Sequence, residues 1–154
     1  MYQGFEAVYD KNSHILILGS FPSVKSRAAG FYYGNPQNRF WRMLAQVFKE
    51  EIPADIPGKI EFLKRHNIAL WDAVQESDLE GSMDSSLEKS QMITANFEKI
   101  FKTAKIEKIL CNGKTAYNIF TKGNFTNLPC ICMPSTSPAN PRYSFETWQK
   151  ELLS

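Results

Sequence analysis

The chain has 154 residues, of which 43% are hydrophobic and 22% are charged, and its formal net charge of +2 is too small to name a partner. No apolar run approaches the roughly 20 residues that a membrane-spanning helix needs, and the first residues lack the cationic start and apolar core of a secretory signal. We therefore expect no membrane span and no secretory signal, and a single cytoplasmic domain over residues 1–154.

Apolar runs alternate with helical patterns along the chain. Short apolar runs predict buried strands, at residues 14–19, 67–71, 108–111 and 129–133. Amphipathic patterns predict helices, at residues 40–48, 59–65, 96–104, 114–122 and 145–153. Residues 81–86 predict a polar loop. Because such alternation is typical of right-handed βαβ units, we expect an α/β fold, a three-layer αβα sandwich around a central four-stranded parallel sheet.

The carboxyl ends of parallel strands meet at one edge of a sheet, where ligand sites gather. The segments that leave the predicted strands are residues 20–23, 72–73, 112–113 and 134–140. They supply hydroxyls, amides and prolines, and Asp72 supplies a carboxylate. We expect these segments to line one crevice. Asp72 fits two roles equally well, as a group of that crevice and as a cap of the segment that follows.

The loop between the first strand and the helix at 40–48 carries aromatic and amide side chains, but no His, Cys or carboxylate. Tyr32, Tyr33, Asn35, Gln37 and Asn38 lie in it. This set suits a flat, uncharged ligand that forms hydrogen bonds, such as a nucleobase, because base–aromatic stacking contributes about 1–3 kcal/mol. Two alternatives stay open: the tyrosines also suit the core, and Asn38 also suits the N-cap of the helix.

Polar groups follow two further strands. Asn112 suits either the cap of the next helix or a hydrogen bond to a base edge. Ser135, Thr136 and Ser137 lie between prolines, a pattern typical of a rigid turn and also of contacts to phosphates. Ser20 has no His partner in this pattern, so we do not expect a serine-hydrolase triad.

The cysteine and histidine content argues against a metal centre. The cysteines are Cys111, Cys130 and Cys132, and the histidines are His14 and His66. Structural zinc sites and iron–sulfur clusters usually take four ligands close together. We therefore expect buried free thiols, no metal ion and no cofactor.

A set of motifs resembles those of one family, in the same order and over nearly the whole chain. The motifs are GSFPS (19–23), YYGNPQNRFWRML (32–44), LWDAV (70–74), GSMDSS (81–86), LCNGKTA (110–116) and STSPANPRYS (135–144). Together they resemble the uracil-DNA glycosylase superfamily. The NPQNRFW segment is similar to the mismatch-specific uracil-DNA glycosylases, and the whole set most resembles the hypoxanthine-DNA (deoxyinosine) glycosylase branch.

This resemblance implies a monofunctional DNA glycosylase of base excision repair. Such a hydrolase flips a deaminated base out of DNA and lets water attack C1′ of the sugar. Hypoxanthine is the base that the branch implies, and DNA containing deaminated bases is the implied partner. The family's four-stranded parallel sheet between helices agrees with the fold expected from the apolar runs. We expect a monomer.

The resemblance also implies roles for individual residues. Asn38 is implied as the catalytic residue that orients the water, and Asn112 as the residue that reads the base. Tyr32 or Tyr33 is expected to stack on the base. The STSPAN motif is implied to press into the DNA, through Ser135, Thr136, Ser137, Pro138, Ala139 and Asn140.

The GSFPS motif adds Ser20 and Phe21 to the expected base-binding residues. Superfamily members commonly carry Asp or Asn where Phe21 stands, and other branches often carry a His in the second motif. Both departures fit the hypoxanthine branch better than an efficient uracil enzyme.

Other functions stay open from the sequence. A uracil or G:U(T) mismatch glycosylase is the first alternative. A non-catalytic nucleic-acid-binding module is the second, because Phe21 replaces a polar residue. A small-molecule hydrolase is disfavoured, because the pattern lacks a nucleophile–base pair.

Overall fold

The computed structural model describes residues 1–80 and 84–154. Its elements are, in chain order, β1 (Tyr2–Gln3), β2 (Ile15–Gly19), α1 (Val24–Ala29), α2 (Phe40–Phe48), α3 (Ile56–Arg65), β3 (Ile68–Asp72), β4 (Val74–Ser77), α4 (Asp84–Glu88), β5 (Met92–Thr94), α5 (Glu98–Thr103), β6 (Lys108–Asn112), α6 (Lys114–Gly123), β7 (Cys130–Met133) and α7 (Phe145–Leu153). Residues 81–83 of the expected polar loop lie outside the described residues. Residues 84–86 belong to α4 instead of a loop, in keeping with the preference of Asp and Ser for helix starts.

Four strands form a parallel sheet in the order β3-β2-β6-β7. Ile17 in β2 lies opposite Leu70 in β3 and Leu110 in β6. Every residue of β2 and β3 is buried, as expected for parallel strands that are covered on both faces. The predicted α/β fold class is confirmed, and each predicted strand is correct to within one residue at either end.

The edge strand β7 is less buried than the centre of the sheet. Cys130 is half-buried and Cys132 is exposed, whereas Cys111 in β6 is buried. Residues two apart on a strand share a face, and on this edge strand that face is only partly covered. The expectation of buried thiols is therefore wrong for Cys132.

The predicted helices are present, with differences at their ends. α2 and α7 have the predicted bounds, and α3 begins three residues earlier than predicted, at Ile56. Pro57 suits that first turn, where a helix does not need the missing N–H. α6 ends before Asn124, whose φ of 52° is left-handed. No helix in the described residues is both long and apolar enough to cross a membrane.

Besides α4, one further helix and one sheet of the described residues were not predicted. The short helix α1 begins after Ser23, whose hydroxyl accepts a hydrogen bond from the Ser26 N–H, and ends at Gly30 with a φ of 81°. The antiparallel sheet has the order β1-β4-β5. Its strands have only two, four and three residues, too few for an alternating pattern to stand out.

The parallel register brings the carboxyl ends of the strands to one edge. Gly19 at the end of β2 lies opposite Asp72 at the end of β3, and Asn112 lies opposite Met133. The chain then turns so that the Ala73 N–H donates a hydrogen bond of 2.7 Å to the Gly19 carbonyl. This turn fixes the position of Asp72 beside the GSFPS motif.

Candidate active site

A cavity of about 190 Å³ lies at this carboxyl edge. It contains residues from the end of β2, the loop before α2, the ends of β3 and β6, and the segment after β7, so the expected crevice is present. The residues singled out by the sequence that line it are Ser20, Phe21, Tyr32, Tyr33, Asn35, Asn38, Asp72, Asn112, Ser135, Thr136, Ser137 and Pro138. Gln37 is exposed and is not among the lining residues. Ala139 and Asn140 lie further along the same segment.

The GSFPS motif forms one wall of the cavity through its backbone and Phe21. The Ser20 carbonyl accepts a hydrogen bond of 3.0 Å from the Val74 N–H, which ties the motif to the start of β4. Phe21 is buried, and the Arg27 guanidinium lies 5.2 Å from the centre of its ring. Phe21 thus gives the cavity an apolar surface, at the position where the proteins that the motif resembles commonly carry a polar side chain.

Tyr32 is anchored in the core next to the cavity. Its hydroxyl donates a hydrogen bond of 2.7 Å to the Glu6 carbonyl, and its ring packs edge-on against Phe5 and Phe31. The Trp41 indole N–H donates to the Tyr32 carbonyl at 2.9 Å. These contacts give Tyr32 the structural role that the sequence left open beside base stacking.

Tyr33 has a different environment from its neighbour. Its φ of 54° is left-handed, and its ring stacks on Phe40 with centroids 4.1 Å apart. Within the described part of the chain, its buried hydroxyl has no hydrogen-bond partner. Burial raises the pKa of Tyr33, the nearby Asp72 raises it further, and the neighbouring Asn112 side chain lowers it, so this hydroxyl is a neutral donor beside Asn112.

Asn38 stands at the start of α2. Its side-chain oxygen accepts a hydrogen bond of 2.9 Å from the Phe40 N–H. Asn38 thus satisfies the first N–H of α2 from one residue before the N-cap, which is Arg39 and has no side-chain cap. A carbonyl oxygen has two lone pairs, so the same oxygen can also accept a hydrogen bond from a water molecule in the cavity. Capping and water orientation are compatible roles for Asn38.

Arg39 connects the start of α2 to the STSPAN segment, a link that the sequence analysis missed. Its backbone N–H donates to the Thr136 carbonyl at 3.0 Å. Its guanidinium donates to the carbonyls of Ser137 and Asn140 and lies 4.4 Å from the centre of the Tyr143 ring. The catalytic candidate and the DNA-contact candidate are thus held together by one arginine.

Asn112 holds the other end of the same segment. Its amide nitrogen donates to the Thr136 hydroxyl, and its amide oxygen accepts from the Thr136 N–H, both at 3.0 Å. Thr136 is fully buried. The amide keeps one further hydrogen and one further lone pair, so Asn112 can position the segment and still bind a base. The N-cap of α6 is Gly113, without a side-chain cap.

The STSPAN segment is a turn held by its own side chains. The Ser135 and Ser137 hydroxyls accept hydrogen bonds from the N–H groups of Ser137 and Ala139. The Asn140 amide donates to the Ser135 carbonyl at 2.9 Å. Pro138 and Ala139 are exposed at the tip. The turn is therefore preorganised, with its tip directed to solvent.

Asp72 is the buried carboxyl of the cavity. Only 5% of its surface is exposed, and no hydrogen bond to its carboxyl is found among the described residues. A Cβ placed on Gly19 would lie 2.5 Å from the Asp72 oxygen and 2.7 Å from the Tyr33 hydroxyl, so these two groups need a glycine there. Burial raises the pKa of Asp72 to about 7, and Arg27 acts in the opposite direction.

The family model of the uracil DNA glycosylase superfamily matches residues 6–153. The chain belongs to the uracil-DNA glycosylase superfamily. The resemblance seen in the sequence is therefore confirmed at the level of the family.

Relatives within the superfamily are similar over most of their length. A protein of Methanosarcina acetivorans named hypoxanthine DNA glycosylase is 35% identical over 146 residues, which are 92% of this chain and 90% of that protein. A protein of the same name from Methanosarcina barkeri is 35% identical over 113 residues, 73% of this chain and 71% of that protein. A solution NMR structure from Methanosarcina acetivorans, described as a candidate uracil DNA glycosylase, superposes with a TM-score of 0.82 at 33% identity, covering 97% of this chain and 95% of that one.

The cavity combines amides, hydroxyls and one carboxyl with apolar walls. Among the described residues, no group of three or more His, Cys, Asp or Glu side chains is arranged to hold a metal ion. The arrangement suits a planar, uncharged group that forms hydrogen bonds, together with a water molecule placed by an amide. Asp72 is a member of this set to which the family resemblance assigned no role.

Proposed function

We propose that this chain is a monofunctional DNA glycosylase of base excision repair that hydrolyses the N-glycosidic bond of deoxyinosine and releases hypoxanthine. The observation that carries the proposal is that Asn38 and Asn112, from two distant motifs, line the same cavity. The relatives named hypoxanthine DNA glycosylase support the choice of base. Residues 1–154 would act as one domain, as a monomer and in the cytoplasm.

The proposed reaction begins with extrusion of the base, because the glycosidic bond cannot be reached in the stacked duplex. Asn38 is a neutral amide and cannot take up a proton at the pH of the cell, so its contribution is orientation of the water that attacks C1′. Its cap to the Phe40 N–H fixes the amide before substrate arrives.

The leaving base needs hydrogen-bond donors, because the electron pair of the broken bond remains on it. The remaining amide hydrogen of Asn112 is such a donor, held in place through Thr136. The exposed tip at Pro138 and Ala139 is proposed to press into the DNA. Tyr33, with Ser20 and Phe21, would contact the base.

A uracil or G:U(T) mismatch glycosylase is the second candidate. The solved structure described as a candidate uracil DNA glycosylase favours it. The two candidates differ in the base that is excised and share the same cavity.

Single-turnover excision from a panel of duplexes tests the proposal. The panel contains hypoxanthine, uracil and xanthine, each opposite all four normal bases. We expect abasic product to form fastest from hypoxanthine. Faster excision of uracil would favour the second candidate. Salt-dependent binding without abasic product from any base would contradict both and support a non-catalytic binding module.

A further inference from the structure

Asp72 supplies the carboxyl of the cavity, and the proposed reaction does not yet use it. It is 95% buried, since only 5% of its surface is exposed, and it lines the cavity. Asn38 and Asn112 each form hydrogen bonds within the protein, whereas no such bond to the Asp72 carboxyl is found in the described residues. The Asp72 carboxyl is therefore open to the cavity instead of being bonded within the described part of the protein.

The position of Asp72 favours a contact of its carboxyl with the base over a contact with the phosphates of the DNA. The Tyr33 hydroxyl, also without a partner in the described residues, lies beside the Asp72 carboxyl at the end of β2. The same hydroxyl neighbours the side chain of Asn112, the proposed base-reading residue. Two unpartnered polar groups next to Asn112 form a place where a ligand with its own polar atoms can bind.

Among the described residues, the groups around Asp72 include one facing cation, which forms no salt bridge with the carboxyl. Arg27 of α1 is the facing cation, but its guanidinium donates to the backbone carbonyls of Gln3 and Glu80. From the loop before α2, Tyr32 and Tyr33 face Asp72, and Cys111 of β6 lies beyond Tyr33. Because burial raises the pKa of Asp72 to about 7, the carboxyl is protonated in a large fraction of the molecules at neutral pH.

We propose that Asp72 is the general acid that protonates the leaving base, an assignment that rests on the proposed function. The oxygen of the attacking water forms a bond to C1′ as the bond between C1′ and N9 of hypoxanthine breaks. The electron pair of the broken bond stays on the base. Asp72 transfers its proton to N7, so the base leaves as a neutral tautomer. The water loses one proton, which passes to the Asp72 carboxylate or to solvent.

This role differs from orientation of water in its pH dependence. A general acid is active when protonated, so the excision rate should be flat at low pH and fall by about tenfold per pH unit above the pKa of Asp72 in the DNA complex, which is expected at or above its free-protein value of about 7. An ionised Asp72 that activated water or stabilised the sugar cation would give the opposite result, a rate that rises through the same range.

The test measures single-turnover excision of hypoxanthine between about pH 5.5 and 9 for the wild-type chain, Asp72→Asn and Asp78→Asn. Asp78→Asn makes the same chemical change at an exposed site. At the acid end of the range, we expect the rate of Asp72→Asn to be about 10²–10⁴-fold below that of wild type. Its pH–rate profile should also lack the fall at high pH, while Asp78→Asn should behave as wild type. Binding to a duplex with a non-cleavable 2′-fluorinated deoxyinosine should change by less than about threefold for Asp72→Asn.

A change in the substrate tests the site of protonation. A duplex with 7-deazahypoxanthine lacks the N7 acceptor, so wild type and Asp72→Asn should excise it at the same low rate. Equal rates of the two proteins on hypoxanthine, a rate that rises through pH 7, or a clear advantage of wild type on the deaza base would overturn the assignment. A wild-type chain that releases no hypoxanthine at any pH would contradict the proposed function and the acid role together.

Discussion

The amides of the cavity and its acid–tyrosine pair are held by the protein in different ways. Asn38 and Asn112 have partners in the backbone and in Thr136, so their orientation is fixed before any ligand binds. Asp72 and Tyr33 are buried side by side, without a hydrogen bond to either group among the described residues. The difference indicates that the amides are preorganised by the fold, whereas the acid–tyrosine pair acquires its partners from the ligand.

Asn38→Ser should have the largest effect on excision. Serine can still cap the helix, but it lacks the amide that orients the water, so we expect the single-turnover rate to fall by about 10²–10³-fold. Thermal unfolding should change little. The matched control is Asn127→Ser, at an exposed loop position, and it should keep the wild-type rate. An Asn38→Ser protein with an undiminished rate would remove Asn38 from the mechanism.

Asn112→Ala should damage both activity and stability. It removes a proposed base contact, and it removes both hydrogen bonds that the Asn112 side chain forms with the fully buried Thr136. We expect a loss of about 100-fold in rate and about 1–3 kcal/mol in the free energy of unfolding. Kinetics together with urea unfolding check this, and a loss confined to stability would make Asn112 a purely structural residue.

Asp72→Asn should stabilise the folded protein, and more so at high pH. The folded-state pKa of about 7 is above the ordinary value of 3.8, so wild-type stability is greatest at low pH and falls as the pH rises towards 7. The amide variant lacks this loss, so its advantage should grow to the order of a few kcal/mol above pH 7. Urea unfolding at several pH values measures it; a destabilised variant at pH 8 would mean that the carboxylate has a partner.

The smallest expected effect is the difference in stability between the variants Tyr32→Phe and Tyr33→Phe. Tyr32→Phe removes the hydrogen bond to the Glu6 carbonyl, so we expect a loss of about 1 kcal/mol. Tyr33→Phe removes a hydroxyl without a partner in the described residues and should leave stability equal or raise it. Thermal unfolding of both variants decides the matter, and equal losses would show that the Tyr33 hydroxyl is also bonded within the protein.

Much of the fold could be predicted because parallel strands are continuous apolar runs. The run Ile15–Gly19 is buried on both faces, and this hydrophobic requirement is visible in the sequence. The antiparallel strands were missed because pairs such as Tyr2 with Ser77 depend on residues that are distant in the chain. Short polar segments carry no local signal for such pairing.

The candidate site could be predicted in its location but not in its internal bonding. The strand ends and motifs indicate one crevice, and the structure has it. The importance of Asp72 depends on the register that places it opposite Gly19 and on the absence of a partner in the described residues. The link from Arg39 to Ser137 joins residues 98 positions apart. Neither feature leaves a pattern in the neighbouring sequence, and the base-binding and DNA-binding roles stay predictions.

The ionisation of Asp72 is the most direct test of the contrast between the amides and the acid–tyrosine pair. The carbon-13 shift of its carboxyl can be followed against pH, in the free protein and with the non-cleavable deoxyinosine duplex. We predict titration with a pKa of about 7 in the free protein, and protonation that persists to higher pH when the base accepts its hydrogen bond. Titration near the ordinary value of 3.8 in both states would contradict the account.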